Sequence, residues 1–373
     1  MARKFGKKNV IDLNPLRYNC CILGESKVGK TTLAKEVCEK LVGEDGYLHL
    51  DIGREDGAAA IQGIVSETIE DWSKLKEVID DIIENKNEDY PELQTIIWDT
   101  LDELIILAEA ESIRLFNRKN PDKKTDSINS AWGGFGKGQD KAIELILDAI
   151  WELKKVGVNS IIIGHVKRTD VVDPLTQETY SKITADTQQR YFNAIKNKMH
   201  FIGLAYIDRD IVKEKTGKKN IVTKQDIMIN KVVSESRMIS FRDDTYSVDS
   251  GSRFADIVDK IPFDPDAFIK ALQDAILAEQ AKSGVALDDA KKEQKMKEDK
   301  AAEEAKEYIE LKKTLKVDED RNAELISIIQ SKFSSASTSV KTEIKQIMSN
   351  NGFAKFSDEN IPTAALEEIV KLL

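Results

Sequence analysis

Residues Gly24-Glu25-Ser26-Lys27-Val28-Gly29-Lys30-Thr31 satisfy G-x-x-x-x-G-K-[ST] at every fixed position, between an apolar run and a helical pattern. That context constrains the fold more than any other feature of the chain. The run 17–23 reads as a buried strand, and behind the motif Leu33, Val37 and Leu41 recur at helical spacing as far as Gly43. Glycines let a backbone wrap phosphates closely, successive N–H groups point inward, and the helix N-terminus adds a favourable dipole. Gly24 through Thr32 are therefore expected to cradle the phosphates of ATP or a close relative. Lys30 would reach the β- and γ-phosphates, and Thr31 would place its hydroxyl on Mg²⁺.

Strand and helix patterns alternate through the first 165 residues. Strands are expected at 47–52, 94–98 and 160–164, and helices at 71–85, 101–116 and 141–156. Alternation of this kind implies a parallel sheet with helices on both faces. Beyond it, 201–207, 221–233 and 238–241 alternate like strands around a turn at 215–219, and read as antiparallel additions to the same sheet. A helix is expected over 264–282, broken at Gly284. The Lys-, Glu- and Ala-rich stretch 287–316 reads as a single solvated helix or a flexible tether, with apolar positions too sparse for a coiled-coil seam. From Asp318 an apolar pattern returns (Leu325, Ile328, Ile329, Phe333; Ile344, Ile347, Met348; Leu366, Ile369, Val370, Leu372), as in a small bundle of three short helices.

The Mg²⁺ site needs a carboxylate at the end of a nearby strand. Thr95-Ile96-Ile97-Trp98-Asp99 supplies one, and Asp99 would hold the ion through water; a strand-end Asp capping the next helix is the plainer alternative. Hydrolysis also needs a carboxylate to orient or activate water. AAA-type motors and terminases place a Glu directly after the Asp, but here Thr100 follows. The stretch Asp51-Ile52-Gly53-Arg54-Glu55-Asp56-Gly57 offers Glu55, with Asp51 and Asp56 as competitors. His165 ends the fourth expected strand. Ligands sit at the carboxyl ends of parallel strands, so His165 reads as a sensor of the γ-phosphate, or as a hydrogen-bonded histidine in a turn. Lys167 and Arg168 follow it.

Together, the phosphate loop, an Asp after the third strand with no Glu behind it, and a strand ending Gly164-His165-Val166-Lys167 resemble the RecA-like ATPases. More closely, the chain is similar to the phage-encoded RecA-like recombination ATPases that occur beside single-strand annealing proteins. That likeness rests also on the Gly-rich-then-helical stretch 133–150, on Lys154-Lys155-Val156-Gly157, and on Met238–Arg242 with Ser252-Arg253-Phe254, and it covers about 15–275. It implies an α/β RecA-like core and a DNA-stimulated ATPase acting in recombination or strand annealing as a ring or filament. ATP would then sit between subunits, a neighbour supplying a cation from Arg237, Arg242 or Arg253. Two departures stand out. The family's catalytic carboxylate falls two residues after the Asp of the second strand, where this chain has Gly53, and the tail beyond about 285 lies outside the likeness.

The resulting division is a basic arm over 1–14 (Arg3, Lys4, Lys7, Lys8), a core over 15–262, a helical charged linker over 263–317 and a small helical domain over 318–373. The last of these is expected to dock a partner, such as a single-strand annealing or single-strand binding protein. Single-stranded DNA contacts are expected in the polar segment 118–141, from Arg118, Lys119, Lys123, Lys124, Lys137 and Trp132; a solvated insertion is the alternative. Cations neutralise phosphates and an aromatic stacks a base. The formal net charge of -10 argues weakly against nucleic acid as a whole-chain number, but 41% hydrophobic residues suffice for a real core. The three cysteines have neither metal spacing nor the look of a disulfide framework, and Cys20 and Cys21 read as buried in a reducing cytoplasm. No run approaches a membrane span, and no secretory signal precedes the loop. A helicase motor on the same core, a nucleotide-gated scaffold and a small-molecule kinase remain open as other readings.

Overall fold

Five-residue runs such as Cys20–Gly24 and Thr95–Asp99 are buried along their whole length, because a parallel strand is covered on both faces. The computed structural model describes residues 9–54, 57–219, 226–242, 250–356, 358 and 361–373. Arg3, Lys4, Lys7, Lys8, Glu55 and Asp56 therefore lie outside the described residues, as does the start of the strand expected from residue 221. In chain order the elements are β1 (Cys20–Gly24), α1 (Lys30–Val42), β2 (Tyr47–Ile52), β3 (Ser66–Ile69), α2 (Trp72–Glu84), β4 (Thr95–Asp99), α3 (Leu101–Lys119), α4 (Lys137–Lys155), β5 (Asn159–Val172) and β6 (Thr179–Ala185). There follow α5 (Gln189–Lys196), β7 (Phe201–Lys219), β8 (Asp226–Ser240), β9 (Gly251–Ser252), β10 (Lys260–Pro262), α6 (Pro265–Ala281), α7 (Leu287–Phe333), α8 (Thr338–Asn350) and α9 (Thr363–Leu372).

One sheet runs β10-β8-β7-β1-β5-β4-β2-β3. From β7 to β3 every pairing is parallel, whereas β8 and β10 join antiparallel at the other edge. The fold is thus a mostly parallel α/β sheet extended by antiparallel strands, with a helical C-terminal region. Period-two alternation divides the core. Cys21, Leu23, Ile96, Trp98 and Ile162 face α2, α3, α4 and α5, while Cys20, Ile22, Ile97, Ile161 and Ile163 face α1 and α6. The three cysteines are free and buried, and burial pushes the Cys20 thiol up to about 12.

Local chemistry sets the helix ends. Asp71 caps α2 by accepting from the Lys74 amide at 2.8 Å, and Asp264 caps α6 with Pro265 in its first turn. Helix α3 carries Asp102 and Glu103 in its first turn and Arg118 and Lys119 in its last, matching the helix dipole at both ends.

Three expectations change. Phe201–Ile207 is not an antiparallel addition: residues 201–205 pair parallel with β1, because α5 returns the chain across the sheet first. That helix is short, and β3 has a largely exposed pattern, so neither shows as an apolar run. Second, α6 belongs to the core, with Phe268, Leu272 and Ile276 packed under the sheet rather than in a linker from 263. Third, the boundary expected at 317/318 falls inside α7, one helix of 47 residues spanning about 70 Å at 1.5 Å per residue. It is no loose tether. Ile309 enters the core, Lys312 pairs with Glu152 at 2.6 Å, and Lys316 pairs with Glu84 at 2.6 Å. A separate apolar cluster (Leu325, Ile329, Ile344, Phe353, Leu366, Ile369) joins the end of α7 to α8 and α9.

Candidate active site

The ends of β1, β2 and β4 converge at one edge of the sheet beside the middle of β5, which runs on past the expected end at Gly164 to Val172. Gly24 closes β1 so tightly against β7 that a Cβ there would stand 2.8 Å from the Ala205 carbonyl oxygen. The chain then turns through Glu25, Ser26 and Lys27, all exposed, with Lys27 at φ 63, while Val28 is buried beneath the loop. Gly29 caps α1 at φ 105, a left-handed conformation that suits glycine. Lys30 follows, 6% exposed, its ammonium donating to the Gly24 and Glu25 carbonyls at 3.1 and 3.0 Å. Thr32 points outward one residue beyond Thr31.

Strands β4 and β2 bring the acid. The Thr31 hydroxyl donates to Asp99 Oδ2 at 2.6 Å, and His49 Nε2 lies 3.1 Å from the same oxygen. A carboxylate only accepts, so Nε2 carries the proton in that bond. His49 is fully buried and Asp99 nearly so, and Asp51 stands opposite Asp99 in the register of β2 and β4. The sequence reading passed over His49. Its signal was a polar residue inside Tyr47–Ile52, two positions before Asp51 and on the same side of the strand.

Register also places His165. It pairs with Gly24 across β5 and β1, directly beside the start of the phosphate loop. Asp102, on the first turn of α3, accepts from the His165 backbone amide at 3.1 Å and lies 3.0 Å from its Nδ1. That bond puts a proton on Nδ1 and fixes the ring's orientation. Asp102 too was missed; it follows Asp99 by three residues, on the turn that brings it back over the strand ends.

The three arginines divide. Arg242 donates to the carbonyls of Phe254 and Ala255, and Arg253 donates to that of Asn197. The guanidinium of Arg237, on β8, has no hydrogen-bond or ion-pair partner among the described residues, and it lies by the loop of its own chain. A Cβ on Gly29 would come within 3.3 Å of the Phe263 ring and 3.8 Å of the Arg237 guanidinium.

Mg²⁺ takes hard oxygen ligands and keeps several waters. The Thr31 hydroxyl and Asp99 carboxylate supply that donor type at one point, so the residues fit the ion. Among the described residues no group of three or more His, Cys, Asp or Glu would hold a metal unaided, so nucleotide phosphates and water would complete the shell.

In the segment expected to meet DNA, Trp132 is committed elsewhere. Its indole N–H donates to the Ser112 carbonyl at 3.1 Å, and its ring packs edge-on against Phe116. The aromatic that faces solvent is Phe135, 97% exposed at φ 53, between Gly134 and Gly136. Lys123 and Lys124 line the groove beside Trp132.

A glycine loop joining strand to helix, a buried lysine in that helix's first turn and a strand-end Asp that accepts from the Thr after that lysine define a P-loop nucleoside triphosphatase. The chain belongs to the AAA domain family, whose model matches residues 16–238. No curated protein matches it. Among solved structures, a KaiC-like protein of the hyperthermophilic archaeon Pyrococcus horikoshii OT3 aligns over 60% of this chain and 77% of its own, at 12% identity and a TM-score of 0.30. The chain is a P-loop ATPase, and no described helix is long and apolar enough to cross a membrane.

Proposed function

We propose that this ATPase couples turnover of ATP-Mg²⁺ to the handling of single-stranded DNA in phage recombination or replication, in the cytoplasm of the host. Lys30 holds the β- and γ-phosphates, Thr31 and Asp99 hold Mg²⁺, and His165, oriented by Asp102, reads the γ-phosphate. The observation that carries the DNA reading is Phe135. Phe135 stands almost wholly in water, held clear of the fold by glycines on either side, so its ring is open to a stacking partner. Bases stack on such rings, and Lys123, Lys124 and Lys137 nearby would neutralise the strand's phosphates.

Assembly into a ring or filament belongs to the same reading. The β7–β8 ribbon leaves Ile211, Val212, Ile229 and Val233 exposed, an apolar arm suited to a second copy. Arg242 and Arg253 would have to release carbonyls of their own chain to serve a neighbour's nucleotide. Arg237 is already beside the loop and serves best in cis. The bundle of α8, α9 and the end of α7 would dock a single-strand annealing or single-strand binding protein.

One observation favours a second reading. Strand β2 is followed by Gly53 where the resembled recombination ATPases carry a carboxylate, as suits a nucleotide-gated scaffold that turns over slowly. Steady-state ATP hydrolysis with and without single-stranded DNA separates the two. Stimulation of several-fold that Phe135→Ala removes, with basal turnover kept, is the expected result. A rate that no DNA changes would sink the DNA-coupled reading in favour of the scaffold, and unwinding of a forked duplex would mark a helicase motor.

A further inference from the structure

The glycine that follows β2 leaves room that another element fills. Gly53 adopts φ +69, and a Cβ built there would overlap Oε2 of Glu103 and stand 3.0 Å from both Cβ and Cδ of that side chain. The carboxylate of Glu103 therefore occupies the position from which a side chain at residue 53 would project. It arrives from α3, four residues after Asp99, on the turn that also carries Asp102.

Three other described carboxylates at this edge are tied to neighbours or enclosed in the sheet. Asp99 accepts from Thr31 and lies against His49, Asp102 is spent on His165, and Asp51 is only 7% exposed within the sheet. Glu103 is half-buried, and its carboxylate has no hydrogen-bond or ion-pair partner among the described residues. It sits where the first turn of a helix stabilises negative charge, at the same edge of the sheet as Lys30, Asp99 and His165.

We propose that Glu103 is the carboxylate that orients the attacking water and takes its proton. The inference rests on the ATPase reading and gives it the base that Gly53 withholds. The water oxygen forms a bond to the γ-phosphorus while the bond from that phosphorus to the β,γ-bridging oxygen breaks. The electron pair of the broken bond leaves with ADP. The water proton passes to a Glu103 oxygen and then to solvent, releasing phosphate.

The test compares the full-length wild type, Glu103→Gln, Glu103→Ala, Glu55→Gln and Lys30→Ala in single-turnover ATP hydrolysis, with affinity for a fluorescent ATP analogue measured in parallel. Glu103→Gln is expected to slow turnover by about 100-fold or more while its nucleotide affinity stays within about threefold, the range that loss of a proton acceptor commands. Formate is expected to restore part of the rate to Glu103→Ala, which no purely structural role would produce. If Glu103→Gln keeps more than about a third of the wild-type rate while Glu55→Gln is dead, the base is Glu55 and the proposal fails, the ATPase reading standing. If Glu103→Gln loses nucleotide affinity along with turnover and formate does nothing for Glu103→Ala, Glu103 is structural and the proposal also fails. A wild type no faster than Lys30→Ala would remove the ATPase reading itself, and the proposal with it.

Discussion

The two ends of this chain bury different things. At the phosphate-loop edge of the sheet Lys30, His49, Asp51, Asp99 and Thr100 are all buried, in a sheet that helices cover on both faces. In the C-terminal bundle the buried side chains are apolar (Leu325, Ile329, Ile344, Phe353, Leu366, Ile369), and no described polar or charged side chain beyond Gln280 is buried. Buried polar groups must be paired and are costly to misplace, so they mark where position matters for chemistry. In the bundle Asn322 alone comes near this among the described residues, its half-buried amide donating to the Ile361 carbonyl at 2.9 Å. The bundle's packing serves to fold and to present a surface. Between the two, α7 is fixed to α2 and α4 by Ile309 and by the Lys312, Glu152 and Lys76 cluster, so the bundle is carried on a strut.

The largest effect should come from breaking the first end alone. Lys30→Ala is expected to lower ATP turnover by at least about 100-fold, since it removes the cation that faces developing charge. The bundle should melt as before, and a shift of its transition by calorimetry would show that the two ends are coupled. Breaking the second end is the converse. Ile329→Ala, at a fully buried position, should destabilise the bundle by about 2–5 kcal/mol. Basal ATP turnover should stay within about twofold, because sites this far apart with no shared partners act independently. Loss of turnover in that variant would mean that the bundle supports the core directly.

Acid gives the smallest and most selective separation. Burial, with Lys154 and Arg253 nearby, pushes His200 down to about 4 from 6.5. The unfolded chain therefore binds a proton that the folded core refuses between those values, so core stability falls as pH drops from about 6.5 towards 4. The bundle's Asp358 moves differently. Amides of Lys355 and Ala354 hold its carboxyl below 3.8, so the stability it contributes is lost only as pH falls below that value. A melt at pH 5 should thus show a lowered core transition and an unmoved bundle transition. Equal shifts would erase the distinction.

Periodicity and motif made much of this legible in the sequence. Gly24–Thr32 announced the loop because its glycines and lysine sit at fixed chain spacing. The strands through Cys20, Tyr47, Thr95 and Asn159 announced themselves as apolar runs because parallel strands are buried on both sides. Asp99 and His165 were legible because each ends such a run. The return of apolar spacing after Asp318 showed the bundle. All of these are local regularities, carried within a few residues of chain.

Contacts between distant segments were decided only in three dimensions. His165 lies beside Gly24 because β5 inserts between β1 and β4, a strand order that no local pattern encodes. His49 reaches Asp99, and Glu103 fills the space over Gly53, because β2, β4 and α3 meet at one edge. Trp132 turned inward to Ser112 and Phe135 outward, though both are aromatics in one glycine-rich stretch. Even the character of α7 was tertiary: its few apolar residues left a solvated helix and a tether both open, and it is a helix fixed to the core by Ile309 and by lysines that meet Glu152 and Glu84. Spacing along the chain sets which residues share an element, but which elements meet depends on the packing of the whole sheet.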